Sequence, residues 1–342
     1  MSIITSFDGV TLEVGGGVET YWKSTALSVV PQSLTTWPHR SNLITSAQAS
    51  PSTAHSTSGG QTATVSSLRG SFVSLTVQVT RDFQPVVFAD WLLPLETIDI
   101  GVCDVTLSQF TTLAKQMGRD VDASQLNGLS TSSDWPDLVS SAMISLERLL
   151  KLLPPSIGVC LEVVYPPRSV MKEHALSRRL DLNQVVDSVL KTIYQTSMPS
   201  NGSNSGRRRI IFTSFCPDVC AALNWKQPNY PVFLTAHCGK TKLSSKRISF
   251  DNGDPADRRL ASLGAAVEFS RMNNLLGLFV DANLLLQVPS MILGIRNAGL
   301  LVGVHGTSDK TVGLTTTSGV EGCPVDAYLS GRTVAFVDPS AL

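Results

Sequence analysis

Apolar runs recur along most of the chain, at Phe72 to Val79, Ile98 to Cys103, Ile157 to Val164, Ile210 to Ser214, Pro231 to Thr235, Leu276 to Val280, Leu300 to Val304 and Cys323 to Val325. Each is short and rich in Val, Ile, Leu or Phe, as expected of a strand covered on both faces. Amphipathic segments lie between several of them. Thr106 followed by Gln109 makes a capping-box start, with Leu107, Phe110, Leu113, Ala114 and Met117 on one face and Gly118 as a stop. Asp134 and Pro136 open a second helix, whose apolar positions from Leu138 to Leu153 keep a 3.6-residue period until Pro154 and Pro155 end it. Asp181 opens a third, through Leu182, Val185, Val186, Val189 and Ile193. Buried strands alternating with helices predict a parallel sheet, and about eight of them predict an α/β protein of the (β/α)8 barrel type rather than a doubly wound sheet.

The first forty residues read differently. Val10 to Val14 alternates, three glycines follow, and Thr20-Tyr-Trp leads into Ala26 to Val30. This is a β-rich leader, and Ala26 to Val30 either supplies the first barrel strand or belongs to an upstream β module. From Ser41 to Ser67, 13 of 27 residues are Ser or Thr and none is charged, which predicts a linker. The expected division is therefore leader 1–40, linker 41–67 and barrel 68–338, with the barrel imperfect at its first βα unit. Residues 197–206 and 240–256 read as long connections, and Arg207 to Arg209 as a solvated face or a phosphate or partner contact.

Composition narrows the function classes. The 342 residues carry 27 Lys and Arg against 27 Asp and Glu. That balance argues against a dedicated nucleic-acid binder, which concentrates basic charge. No basic region followed by an apolar run opens the chain, so no secretory signal is expected. The most apolar stretch, Leu275 to Val304, is interrupted by Asp281, Pro289 and Arg296 and reads as core, with no membrane span. Cysteines 103, 160, 216, 220, 238 and 323 form no CxxC pair and are expected to be reduced thiols, in a cytoplasmic or nuclear setting.

The order of several segments carries a resemblance. Val77-Gln-Val-Thr-Arg-Asp-Phe-Gln-Pro-Val-Val-Phe-Ala-Asp90 resembles the second strand and hairpin of glycerophosphodiester phosphodiesterases, which run Glu-x-Asp-Val-x-x-Thr-Lys-Asp-Gly-x-Pro-Val-Val-x-His-Asp. Leu161 to Pro166 is similar to that family's Glu-x-Lys-x-Pro strand, and Ile210 to Asp218 to its Ser-Phe-Asn-Pro-Asp turn. Leu223 to Thr235 looks most like the domain found in fungal phosphate-pathway cyclin-dependent kinase inhibitors, where it follows ankyrin repeats. Leu300 to Gly306 and Gly319 to Asp326 fit the last two strands. The resemblance spans about residues 68 to 330. It implies a barrel whose site lies at the C-terminal strand ends, with two histidines as acid and base and a divalent cation held by carboxylates.

Laid on that pattern, the first metal Glu falls on Ser74, the metal Asp on Thr76, the His on Ala89 and the Lys on Val164. Only Glu162 remains of the metal set, and one carboxylate does not make a Mg²⁺ or Ca²⁺ site. His39-Arg40-Ser41 is the one candidate for the family's His-Arg-Gly turn. His305 falls where an aromatic is usual, and Ser214, His237, Asp281, His305 and Asp326 end predicted strands where a different site could assemble. Cys216 and Cys220 lack an evident base partner. The resemblance thus implies a regulatory or binding module that has lost catalysis and needs no cofactor. A cyclin-dependent kinase with its cyclin, or a phosphorylated small ligand, is the implied partner. No ankyrin repeats are visible in this sequence, so it reads either as a fragment of such an inhibitor or as a truncated gene product. The rival expectation is an active, Mg- or Ca-dependent phosphoric diester hydrolase of lipid metabolism, rebuilt around His39, His237 or His305 and Glu162. A phospholipid surface bound through Arg207 to Arg209 and the Lys240, Lys242, Lys246, Arg247 loop is a third.

Overall fold

A computed structural model of the chain describes residues 3–7, 10–14, 68–95, 98–121, 129, 131, 134–197, 208–238, 257–306 and 325–337. Strands β1 (Ile3–Phe7) and β2 (Val10–Val14) pair antiparallel, the second being the alternating segment read from sequence. The remainder is a closed barrel. Its parallel staves are β3 (Gly70–Val79), β6 (Gly158–Val163), β7 (Ile210–Ser214), β8 (Val232–Ala236), β9 (Gly277–Asp281), β10 (Leu301–His305) and β11 (Ala327–Ser330). The eighth stave, β12 (Thr333–Phe336), runs antiparallel to both neighbours, pairing Leu329 with Val334 on one side and Val73 with Thr333 on the other. Two short strands, β4 (Pro85–Val87) and β5 (Ile144–Ser145), extend from the mouth end of β3 outside the ring.

Alternation along each stave builds two cores. Outward Val73, Leu75, Leu161, Phe212, Leu234, Leu278 and Val302 meet the helices, notably α5 (Leu182–Ser197), α6 (Pro217–Lys226), α7 (Leu263–Met272) and α9 (Ser290–Asn297). Inward Phe72, Cys160, Ile211, Phe233, Phe279, Leu329 and Val334 fill the lower barrel. The rings interlock at edge-to-face angles, with Phe233 and Phe279 centroids 5.3 Å apart. Glycines make that possible: a Cβ at Gly158 would lie 2.6 Å from the Phe72 ring, and one at Gly303 would lie 2.5 Å from Phe279.

Several elements depart from the sequence reading. Thr106 caps α1 (Leu107–Gln116) through the expected box, with Gln109 Oε1 accepting from Thr106 N at 2.9 Å, and Gly118 ends it at φ +63°. The helix expected from 134 to 153 is instead two, α2 (Trp135–Ser141) and α3 (Leu146–Leu152). Between them the chain pairs as β5 with β4, and Ser145 caps α3 by accepting from Arg148 N at 3.2 Å. Residues 98–103 are not a strand. Asp104 Oδ2 accepts from Gly101 N at 3.0 Å and folds Val102–Asp104 into a 3-10 turn. The last parallel stave is Ala327–Ser330, beyond the expected Cys323 to Val325, of which only Val325 is described. Ala26 to Val30, like the 41–67 linker and Cys323, lies outside the described residues, and the stave position between β11 and β3 is filled by β12.

Candidate functional site

The C-terminal ends of the parallel staves form the mouth, where polar side chains replace the aromatic layer. Register sets Ser74 beside Cys160 and Thr76 beside Glu162. Alternation turns all four inward, so the two vacated carboxylate positions and the surviving carboxylate share one face. Glu162 is 2% exposed; its Oε2 accepts from the Thr76 hydroxyl at 3.3 Å, and Oε1 has no partner among the described residues. Burial pushes its carboxyl up to about 7, against the opposing pull of the Arg332 charge and the Thr76 hydrogen bond.

Arg332 was not anticipated. The Ser330–Thr333 turn between β11 and β12 lies at the mouth because β12 runs back down the barrel. The Arg332 carbonyl accepts from Ser74 N at 2.7 Å, and its guanidinium donates to Thr76 Oγ1 at 3.4 Å. Guanidinium, bridging hydroxyl and carboxylate thus form one chain across the site. The signal was present in Ala327 to Phe336, two alternating segments around Ser330-Gly331, which is a hairpin pattern.

The strand ends of β8 and β10 bring together two predicted residues, His237 and His305, with ring centroids 5.7 Å apart. Phe215 stacks on His237 at 4.7 Å and meets His305 edge-on at 6.3 Å. Beside this cluster a cavity of about 220 Å³ is lined by Trp91, Glu162, Tyr165, Arg179, Phe215 and Arg259, among others. Arg259 closes one side, bonded to Asp218 and Asp257 at 2.6 Å each. Arg179 lies over the Tyr165 ring at 4.5 Å. Ala89 is buried on the arm after β4; the Gln78 amide donates to the carbonyls of Phe88 and Asp90, so the arm keeps its place without the histidine. Val164 donates its N–H to the Val77 carbonyl at 2.9 Å.

Other predicted residues are spent elsewhere. Asp281 caps the helix that follows β9, accepting from Asn283 N at 2.7 Å. Ser214 is buried and donates to the Val163 carbonyl. Asp326 is not at the mouth. It precedes β11 at the opposite end, where it accepts from Val302 N and Arg296, because the stave begins just after it. Arg208 and Arg209 also belong to that end. The Arg208 guanidinium donates to the carbonyls of Leu150, Leu153, Pro154 and Ile157, and Arg209 bonds the Arg69 carbonyl and covers the Phe72 ring. Both guanidinia are thus engaged by groups of the fold itself. Burial pushes the Cys216 thiol up to about 11 and raises Cys220 well above the ordinary thiol range, so both favour the protonated form. His39, Arg40, Arg207, Lys240, Lys242, Lys246 and Arg247 lie outside the described residues.

The mouth does not suit the hard divalent cation that the resemblance implies. Among the described residues one carboxylate and two hydroxyls are too few ligands, and a guanidinium already faces them. Among the described residues no group of three or more His, Cys, Asp or Glu could hold a metal ion, and no helix is long and apolar enough to cross a membrane.

Residues 62–327 match the model of the glycerophosphoryl diester phosphodiesterase family. The chain is 28% identical to the ankyrin repeat protein nuc-2 of Neurospora crassa, over 99% of this chain and 32% of that protein. It is 28% identical to the glycerophosphocholine phosphodiesterase GDE1 of Candida albicans, over 78% of this chain and 25% of the relative. It is 27% identical to the phosphate system positive regulatory protein PHO81 of Saccharomyces cerevisiae, over 83% and 23%. The chain therefore spans about a third or less of the length of these relatives. With its match covering most of the sequence and its site at the expected end of a closed barrel, the chain belongs to the glycerophosphoryl diester phosphodiesterase family.

Proposed function

We propose that this domain is a regulatory or binding module of phosphate-responsive signalling in which phosphodiester hydrolysis has been lost. One observation carries the reading: Ser74, Thr76 and Ala89 retain the backbone places of the family's two carboxylates and histidine while offering no ligand set and no acid or base there. Likeness to the phosphate regulator PHO81 and to nuc-2 supports the signalling half, and likeness to GDE1 supports a site descended from an enzyme. The partner on this reading is a cyclin-dependent kinase with its cyclin, in the cytoplasm or nucleus.

The test is turnover. The purified chain is incubated with glycerophosphocholine and, in turn, Mg²⁺, Ca²⁺, Mn²⁺ and Zn²⁺, and product is compared with a blank. The expected result is no release above background. Metal-dependent release that disappears in Glu162→Ala overturns the reading in favour of an enzyme rebuilt around His237, His305 or His39. Capture of a purified cyclin–kinase pair then tests the partner, and no capture across salt concentrations removes it.

A further inference from the structure

We propose that Arg332 is a resident cation of the barrel mouth, a guanidinium delivered by the closing strand β12 that takes over the charge-balancing part a divalent ion would play. This rests on the loss of the metal set but goes further, because it assigns the vacated space an occupant from the chain itself.

Three observations converge. Glu162 is buried at the centre of the mouth with a single hydrogen bond, from Thr76, and an uncapped Oε1. A buried carboxyl in that state keeps its proton unless a nearby positive charge stabilises the ionised form. The chain supplies one from the only antiparallel stave of the ring, the stave whose direction puts its first residues, and not its last, at the mouth. Arg332 is anchored there twice, through its carbonyl to Ser74 N and through its guanidinium to Thr76 Oγ1. Both anchors are the positions where the family places carboxylates. A Glu or Asp at 74 and 76 would gather three negative charges around one point and require an ion of higher charge. With Ser and Thr there, the hydroxyl of Thr76 joins the Arg332 guanidinium to the Glu162 carboxylate.

The chain is tested by thermal melting in alkaline buffer, where Glu162 is ionised, with and without millimolar Mg²⁺ or Ca²⁺. The wild type is expected to melt at the same temperature in all three conditions. Arg332→Ala is expected to lower the Tm by about 4 °C, and by about 1 °C or less when Glu162→Gln is already present. Arg332→Lys keeps the charge and retains most of the wild-type Tm, which guards against a variant that simply fails to fold. Pairing Thr76→Asp with Arg332→Ala restores a second carboxylate and removes the guanidinium, and this variant is expected to gain a saturable Ca²⁺-dependent rise in Tm. Saturable stabilisation of the wild type by either ion would overturn the proposal, as would equal losses for Arg332→Ala with and without Glu162→Gln. Hydrolysis by the wild type without any ion would overturn the lost-catalysis reading and leave this one standing, so the two fail separately.

Discussion

Glu162 shows how one side chain can couple the site to the stability of the fold. Its carboxyl rises from 4.5 to about 7 because burial disfavours the charged form more than Arg332 and Thr76 favour it. Below 4.5 both folded and unfolded chains carry the proton. Between 4.5 and about 7 the unfolded chain has released it and the folded chain has not, so stability falls as pH rises through that window, by up to about 3 kcal/mol. Urea unfolding across this range is expected to show the fall in the wild type and to lose most of it in Glu162→Gln; an unchanged slope in the variant would assign the dependence to other groups. At the other end of the barrel, Arg208 answers the carbonyls left at the end of α3 and in the turn before β6. Arg208→Ala strands three half-buried acceptors, Pro154 keeping its bond from Ile157 N, and is expected to cost about 3 kcal/mol in denaturant unfolding, against less than about 1 kcal/mol for a solvated arginine.

Elements were readable wherever periodicity and punctuation agreed. The staves 72–79, 157–164, 210–214, 231–235, 276–280 and 300–304 lie close to their predicted places because a strand buried on both faces has no polar alternative. The capping box at Thr106 and the start at Asp181 were equally clear, Asp181 accepting from Gln184 N at 3.0 Å. What escaped was decided by partners far away in sequence. The apolar period from Leu138 to Leu153 cannot reveal that β4 waits for a two-residue strand at Ile144, and the apolar letters of 98–103 cannot reveal that Asp104 will bond back to Gly101. The site divided along the same line. Ser74, Thr76 and Ala89 were readable because they sit in one short motif and Glu162 and Val164 in another, and the meeting of His237 with His305 followed from strand ends. Arg332 was not, since its role exists only once β12 has turned back against β3.

At the scale of the whole molecule, the barrel is closed by four residues. Val334 is buried and lies in a strand hydrogen-bonded on both sides. Val334→Pro removes a ladder donor and opens the ring along β3 and β11, whose released edges favour association. Size-exclusion chromatography and thermal melting are expected to show aggregation and loss of a single cooperative transition, where Val334→Ile leaves both intact. The position of that closing strand also sets a timetable. Thr76 and Arg332 are 256 positions apart, so on a ribosome working at roughly 5–20 residues per second the edge of β3 that pairs with β12 waits on the order of tens of seconds for its partner. Throughout that interval Phe72 to Val79 is an apolar strand with one side unsatisfied, and its safety during synthesis falls to chaperones or to a provisional neighbour.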